Sequence, residues 1–127
     1  MEVISLHMKI WLEAEGEKIL GKGPIELLRL VDELGSLRQA AMSLAMSYSK
    51  AWNLIVKMEK RWQMEILARK TGGQGGGSSS LTEEARKLVI QYENFEQEAN
   101  SAVVEIFARH FPEQSSLIED KKHISTK

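Results

Sequence analysis

From Leu6 to Leu12 the chain alternates, with Leu6, Met8, Ile10 and Leu12 on one face and His7, Lys9, Trp11 and Glu13 on the other. A period of two predicts a half-buried strand. Glu15, Gly16 and Glu17 read as a turn, and Lys18 to Leu20 as a short returning strand, so an N-terminal β-hairpin is expected. Gly21, Gly23 and Pro24 break the pattern. Pro24 suits the first position of a helix, where its missing N–H costs nothing. Leu27, Leu28, Val31 and Leu34 give that helix an apolar face, and Gly35 is placed to end it in a left-handed conformation.

Ser36 can cap a second helix, with Gln39 three residues on completing a capping box. Leu37, Ala40, Ala41 and Leu44 form its inner side, where small residues permit close helix approach. Ser47 is the next cap and opens a helix over 47–62. On that helix Ala51, Leu54, Ile55, Met58 and Trp62 gather on one side, and Lys50, Asn53, Lys57, Lys60 and Arg61 on the other. Two helices joined by a turn of about three residues, the second with an exposed polar face, make a helix-turn-helix pattern. Trp62 and Trp52 are expected in the core or at its edge.

Glu65 to Thr71 reads as a strand, and residues 72–80, GGQGGGSSS, as low-complexity sequence. Their simplest reading is a flexible linker. Their position allows a narrower one, the tip of a hairpin wing over 65–81 that follows the helix-turn-helix. A nucleotide-cradling loop is disfavoured, because no Lys-Ser/Thr pair follows the last glycine. Thr82 then caps a helix over 82–110, with Glu83 and Glu84 in its first turn, where the macrodipole favours them. Ala85, Leu88, Tyr92, Phe95, Ala99, Ala102 and Ile106 recur at alternating spacings of three and four, a heptad seam. At 1.5 Å per residue that helix runs roughly 43 Å, longer than a small domain covers, so it is expected to pair with a copy of itself. Pro112 ends it. The expected fold is mostly α with small β: one domain over 1–110, then a frayed polar tail over 111–127.

Composition sharpens this picture at few points. Among 127 residues, 43% are hydrophobic and 28% charged, enough for a globular core. The absence of cysteine removes disulfides and thiolate metal sites and fits a reducing compartment. No segment reaches the roughly 18 apolar residues of a membrane span, and the N-terminus lacks the features of a signal peptide. A cytoplasmic protein without a membrane partner is expected. The net charge of −1 conceals an uneven distribution. Residues 1–35 carry 4 basic and 7 acidic side chains (−3), residues 36–74 carry 7 and 2 (+5), and residues 75–127 carry 6 and 9 (−3). A confined positive patch is the footprint of a surface that touches phosphate on one face.

Catalysis is not expected. His7, His110 and His123 are scattered without metal-ligand spacing, and no nucleophile, base and orienting acid cluster in sequence, so no catalytic residue, metal or cofactor is assigned. The basic helix face suits the major groove of DNA. Lys50, Asn53 and Tyr48 lie nearest the helix N-terminus, where base edges are read; Lys57, Arg69 and Lys70 are placed for phosphates. A dimeric protein-interaction module, its basic face incidental, is the alternative.

The run Ser47-Tyr48-Ser49-Lys50-Ala51-Trp52, together with Thr71-Gly72-Gly73-Gln74-Gly75-Gly76-Gly77 and the following Leu81-Thr82, resembles the N-terminal DNA-binding domain of the ModE family. These are molybdate-responsive bacterial transcription regulators related to the winged-helix domain of LysR-type regulators. The resemblance covers about residues 5–108. It implies a winged helix-turn-helix that dimerises through the hairpin-and-long-helix framework and binds a palindromic operator in double-stranded DNA. By position it implies DNA contacts from Ser47, Tyr48, Ser49, Lys50, Asn53 and Lys57 in the recognition helix and from Arg69, Lys70, Gly73, Gln74 and Gly75 in the wing. Dimerisation would fall to Leu88, Tyr92, Phe95, Ala99, Ala102 and Ile106. Full-length members continue into oxyanion-binding β-barrels, whereas only about 17 residues follow the long helix here, so molybdate binding by this chain alone is not expected.

Overall fold

The computed structural model describes residues 2–69 and 78–118. It divides into two compact units, one spanning residues 11–91 and the other built from the N-terminal segment to Ile10 with the chain from Tyr92 onward.

In the first unit, β1 (Leu12–Ala14) and β2 (Glu17–Leu20) pair antiparallel, with Ala14 opposite Glu17 and Glu13 opposite Lys18. Glu15 and Gly16 form the two-residue turn with φ of 52° and 79°. Both left-handed residues are what a type I′ turn requires, and its twist matches that of the strands it joins. The expected strand over 6–12 forms only at its last residue. β2 is four residues long and α1 begins at Lys22, so β2 does not extend alongside residues 6–11, where the structure has an isolated bridge at His7. Their alternation survives as facing: Ile4, Leu6, Met8 and Ile10 are half-buried and the residues between them exposed.

Helix α1 (Lys22–Leu34) starts two residues earlier than Pro24 suggests, so Pro24 is its third residue, still within the turn whose N–H groups lack helical partners. Gly21 precedes it and lies so close to Trp11 that a Cβ there would stand 2.9 Å from the Trp11 Cβ. Gly35 ends the helix at φ 70°, its N–H bonded to the Val31 carbonyl at 2.8 Å. Helix α2 (Leu37–Ser43) is capped by Ser36, whose Oγ accepts from the Gln39 N–H at 3.1 Å. Leu44, Ala45 and Met46 make the turn into α3 (Tyr48–Trp62). There the Ser47 Oγ accepts from the Lys50 N–H at 3.1 Å. Ala40, Ala41 and Ala51 are buried where α2 packs on α3.

Ala45 sits at φ 53°, a left-handed conformation that costs a residue with a Cβ roughly 1–2 kcal/mol. Ala45→Gly is therefore expected to raise unfolding free energy by about 0.5–1 kcal/mol, after the greater entropy of glycine in the unfolded chain is subtracted. Denaturant titration checks this; an unchanged or lower midpoint would show that the turn holds no such strain.

Strands β3 (Leu67–Arg69) and β4 (Ser79–Leu81) pair antiparallel, Leu67 opposite Leu81 and Arg69 opposite Ser79. They lie within the expected 65–81 wing, and β3 begins two residues later than the 65–71 strand read from sequence, whose last two positions lie outside the described residues. Two bonds dock this hairpin, Ile66 N–H to Glu59 Oε2 at 2.9 Å and Ser79 N–H to the Gly35 carbonyl at 2.8 Å, while Thr82 N–H to the Ile66 carbonyl at 2.9 Å joins its own two arms. The core gathers Leu20, Leu27, Leu28, Val31, Ile55, Met58 and Ile66, all fully buried.

Helix α4 (Glu83–His110) is capped by Thr82, whose Oγ1 accepts from the Ala85 N–H at 3.0 Å. Arg86 binds Asp32 of α1 through two of its nitrogens, at 3.0–3.3 Å, and holds the Asp32 carboxyl below its ordinary range. The expected seam along α4 does not behave as one surface. Leu88 and Tyr92, expected on a dimer face, are buried within a single chain. The Tyr92 hydroxyl donates to the Ile10 carbonyl at 3.0 Å, and burial followed by the charge of Glu96 pushes it up to about 12. Phe95, Ala102 and Ile106 are exposed and Ala99 is half-buried. Residues 113–118, the described part of the expected tail after Pro112, are not frayed. Ser115–Leu117 forms a 3-10 turn, and Ile118 bridges Ile4, with the Ile4 N–H bonded to the Leu117 carbonyl at 2.7 Å.

Candidate nucleic-acid interface

Helix α3 buries Ala51, Ile55 and Met58. Directly opposite, at 100° per residue, lies a stripe of Ser49, Asn53, Val56 and Lys60, all exposed. Lys50, Lys57 and Arg61 form its flank on one side; Trp52 and Glu59, half-buried, form the other. Of the expected helix residues, Ser49 and Asn53 therefore stand on the outermost line and Lys50 and Lys57 one step round. Tyr48 is exposed at the first turn, and Ser47 is both exposed and committed through its hydroxyl to the cap.

The flank meets the β1–β2 hairpin. Lys57 Nζ stands 3.3 Å from Glu17 Oε2, and Arg61 Nη2 donates to Glu15 Oε2 at 2.6 Å. The Arg61 bond holds the Glu15 carboxyl below its ordinary range and raises the guanidinium in turn. Glu17, Lys18, Lys50, Asn53, Leu54 and Lys57 enclose a groove of about 470 Å³ between hairpin and helix. Among the described residues no ion pair involves Lys50 or Lys60. The sequence reading counts Lys57 and Arg61 as part of one free basic face; pairing across the fold divides that face.

Two positions, Arg38 and Val56, escape the sequence reading, and a third, Lys60, is read there as part of the basic face without being assigned to DNA. Arg38, on the exposed side of α2, places its guanidinium 4.5 Å from the centre of the Tyr48 ring, a cation–π contact that adds a cation beside the first turn of α3. Lys60 and Val56 belong to the outermost stripe. Helical phase marks both, yet Val56, 43% exposed, reads as a core residue by type. On the wing, Arg69 ends β3; Lys70, Gly73, Gln74 and Gly75 lie outside the described residues.

Residues 24–86 match the model of the lysR family of bacterial regulatory helix-turn-helix proteins. The chain is 36% identical over 72 residues to the transcriptional regulator ModE of Haemophilus influenzae, covering 57% of this chain and 28% of that protein. It is 34% identical over 79 residues to the molybdenum transport protein ModE of Azotobacter vinelandii, covering 62% and 29%. The crystal structure of ArgP from Mycobacterium tuberculosis overlays 65% of this chain and 30% of that one at 22% identity and a TM-score of 0.46. The chain spans under a third of the length of these curated relatives.

Proposed function

We propose that this chain, whose residues 24–86 match the lysR-type helix-turn-helix model and resemble ModE in sequence, is a DNA-binding transcriptional regulator that acts in the cytoplasm as a homodimer on a two-fold symmetric operator. The observation that carries this reading is the outer stripe of α3, a mostly polar row aimed away from the core by a capped helix and flanked by Lys50, which makes no ion pair among the described residues. No helix of the described residues is long and apolar enough to cross a membrane. Asn53 offers both donor and acceptor to an adenine edge, and Lys50 a donor to guanine. The exposed Phe95, Ala102 and Ile106, with half-buried Ala99, supply an apolar strip for pairing two copies, which would set the recognition helices about 34 Å apart.

Selection of bound sites from a random duplex pool is expected to return two half-sites related by a dyad, with binding that falls steeply as salt rises. Failure of any sequence to enrich would end the regulator reading, and salt-insensitive association would favour a protein-interaction module.

Val56 adds a finer expectation. An apolar side chain on the outer stripe suits a thymine methyl, so thymine-to-uracil replacement at one operator position should weaken binding about fourfold, from roughly 0.8 kcal/mol per buried methyl-sized group. Val56→Ala should erase that difference. If the variant still discriminates thymine from uracil at every position, Val56 does not touch the methyl.

A further inference from the structure

We propose that Glu15 and Glu17, at the tip of the β1–β2 hairpin, are built-in counter-ions that compete with DNA phosphate for Arg61 and Lys57 and so hold sequence-independent binding down. The inference rests on the DNA-binding reading above. It starts from the turn: two left-handed residues, Glu15 and Gly16, close the hairpin so that the carboxylates of Glu15, in the turn, and Glu17, just after it, both reach α3. Glu17 and Lys57 then share one groove with Lys50 and Asn53, the residues placed to read bases. A phosphate oxygen approaching Lys57 along that groove meets a carboxylate already seated 3.3 Å away.

The consequence is thermodynamic. A free lysine that neutralises a phosphate releases a condensed cation, adding about 0.9 to the steepness of log K against log salt. A lysine taken from Glu17 leaves behind a bare carboxylate that attracts a cation in return, so the net release largely cancels. Lys57 and Arg61 therefore add little to non-specific affinity, while Lys50 and Arg38 add their full share. Binding selected in this way leans on base contacts, because the phosphate term common to all sequences is reduced. Exposed ion pairs in water hold an element weakly, so a role confined to fastening the hairpin would show in stability and leave salt dependence unmoved.

The test uses the full chain with Glu15→Gln and Glu17→Gln together, titrated onto a scrambled duplex and onto the selected operator across a salt series, with thermal unfolding alongside. The carboxamides keep shape and remove charge. Affinity for the scrambled duplex is expected to rise several-fold at low salt, and the slope to steepen by up to about 1.8 for two released cations. In a background of Lys57→Met and Arg61→Met the same glutamine pair should gain much less and leave the slope unchanged. Salt-steep binding by the wild type with no change of slope in the glutamine variant overturns the inference while the DNA-binding reading stands. An equal gain in the methionine background overturns it too, since the carboxylates would then act on DNA directly and not through these cations. Absence of salt-steep binding in every variant removes both readings together.

Discussion

Asn53→Ala is expected to weaken operator binding by about 1–3 kcal/mol, roughly five- to 150-fold, and to leave binding to scrambled DNA nearly unchanged. The asymmetry follows from position. Asn53 stands on the outer line of α3, opposite buried Ala51, Ile55 and Met58, and carries no charge that a phosphate would favour. Its carboxamide can donate and accept at once, which matches the paired groups of an adenine edge and no feature of the backbone. The check is a cycle: the alanine variant and a base-pair change at the contacted position, singly and together, by fluorescence anisotropy at fixed salt. Equal losses on operator and scrambled DNA would remove Asn53 from base reading. The side chain is exposed, and a melting curve separates a folding defect from a lost contact.

The second large effect acts from beneath the same helix. Ile55 is 1% exposed and packs in the core with Met58, so Ile55→Ala removes buried methyl groups and leaves a cavity, at a cost of about 2–5 kcal/mol. For a chain of this size the thermal midpoint should fall on the order of 10 °C. Ile55→Val, smaller by one methylene, should cost about 0.5–1.5 kcal/mol. At a temperature where the alanine variant is still folded, its operator affinity should approach the wild-type value, because the outer stripe is untouched. A midpoint within a degree of the wild type would mean that the underside of α3 is not the packed surface described here.

Most of what aims α3 is legible locally. Ser36, Ser47 and Thr82 are caps by chemistry, and each accepts the N–H three residues on. Gly35 closes α1 because a left-handed position favours a residue without Cβ. Ala45 and Gln63, also left-handed, carry no such signal in their side chains, so the turn into α3 and the end of α3 rest on packing. The spacing along α4 was equally ambiguous. A heptad repeat states that one face is apolar and does not state what covers it; Leu88 and Tyr92 are covered within one chain, and Phe95 and Ile106 are not.

Periodicity, caps and turn residues act over a few positions, so the sequence alone determined the order of helices, the helix-turn-helix and the side of α3 that faces inward. Charge pairing acts through space. Glu15 and Arg61 are 46 positions apart and meet at 2.6 Å only because a two-residue turn and a helix are packed side by side. Which cations on the basic face remain free for a partner was therefore decided by tertiary structure, since an ion pair is set by distance and composition records only the charges.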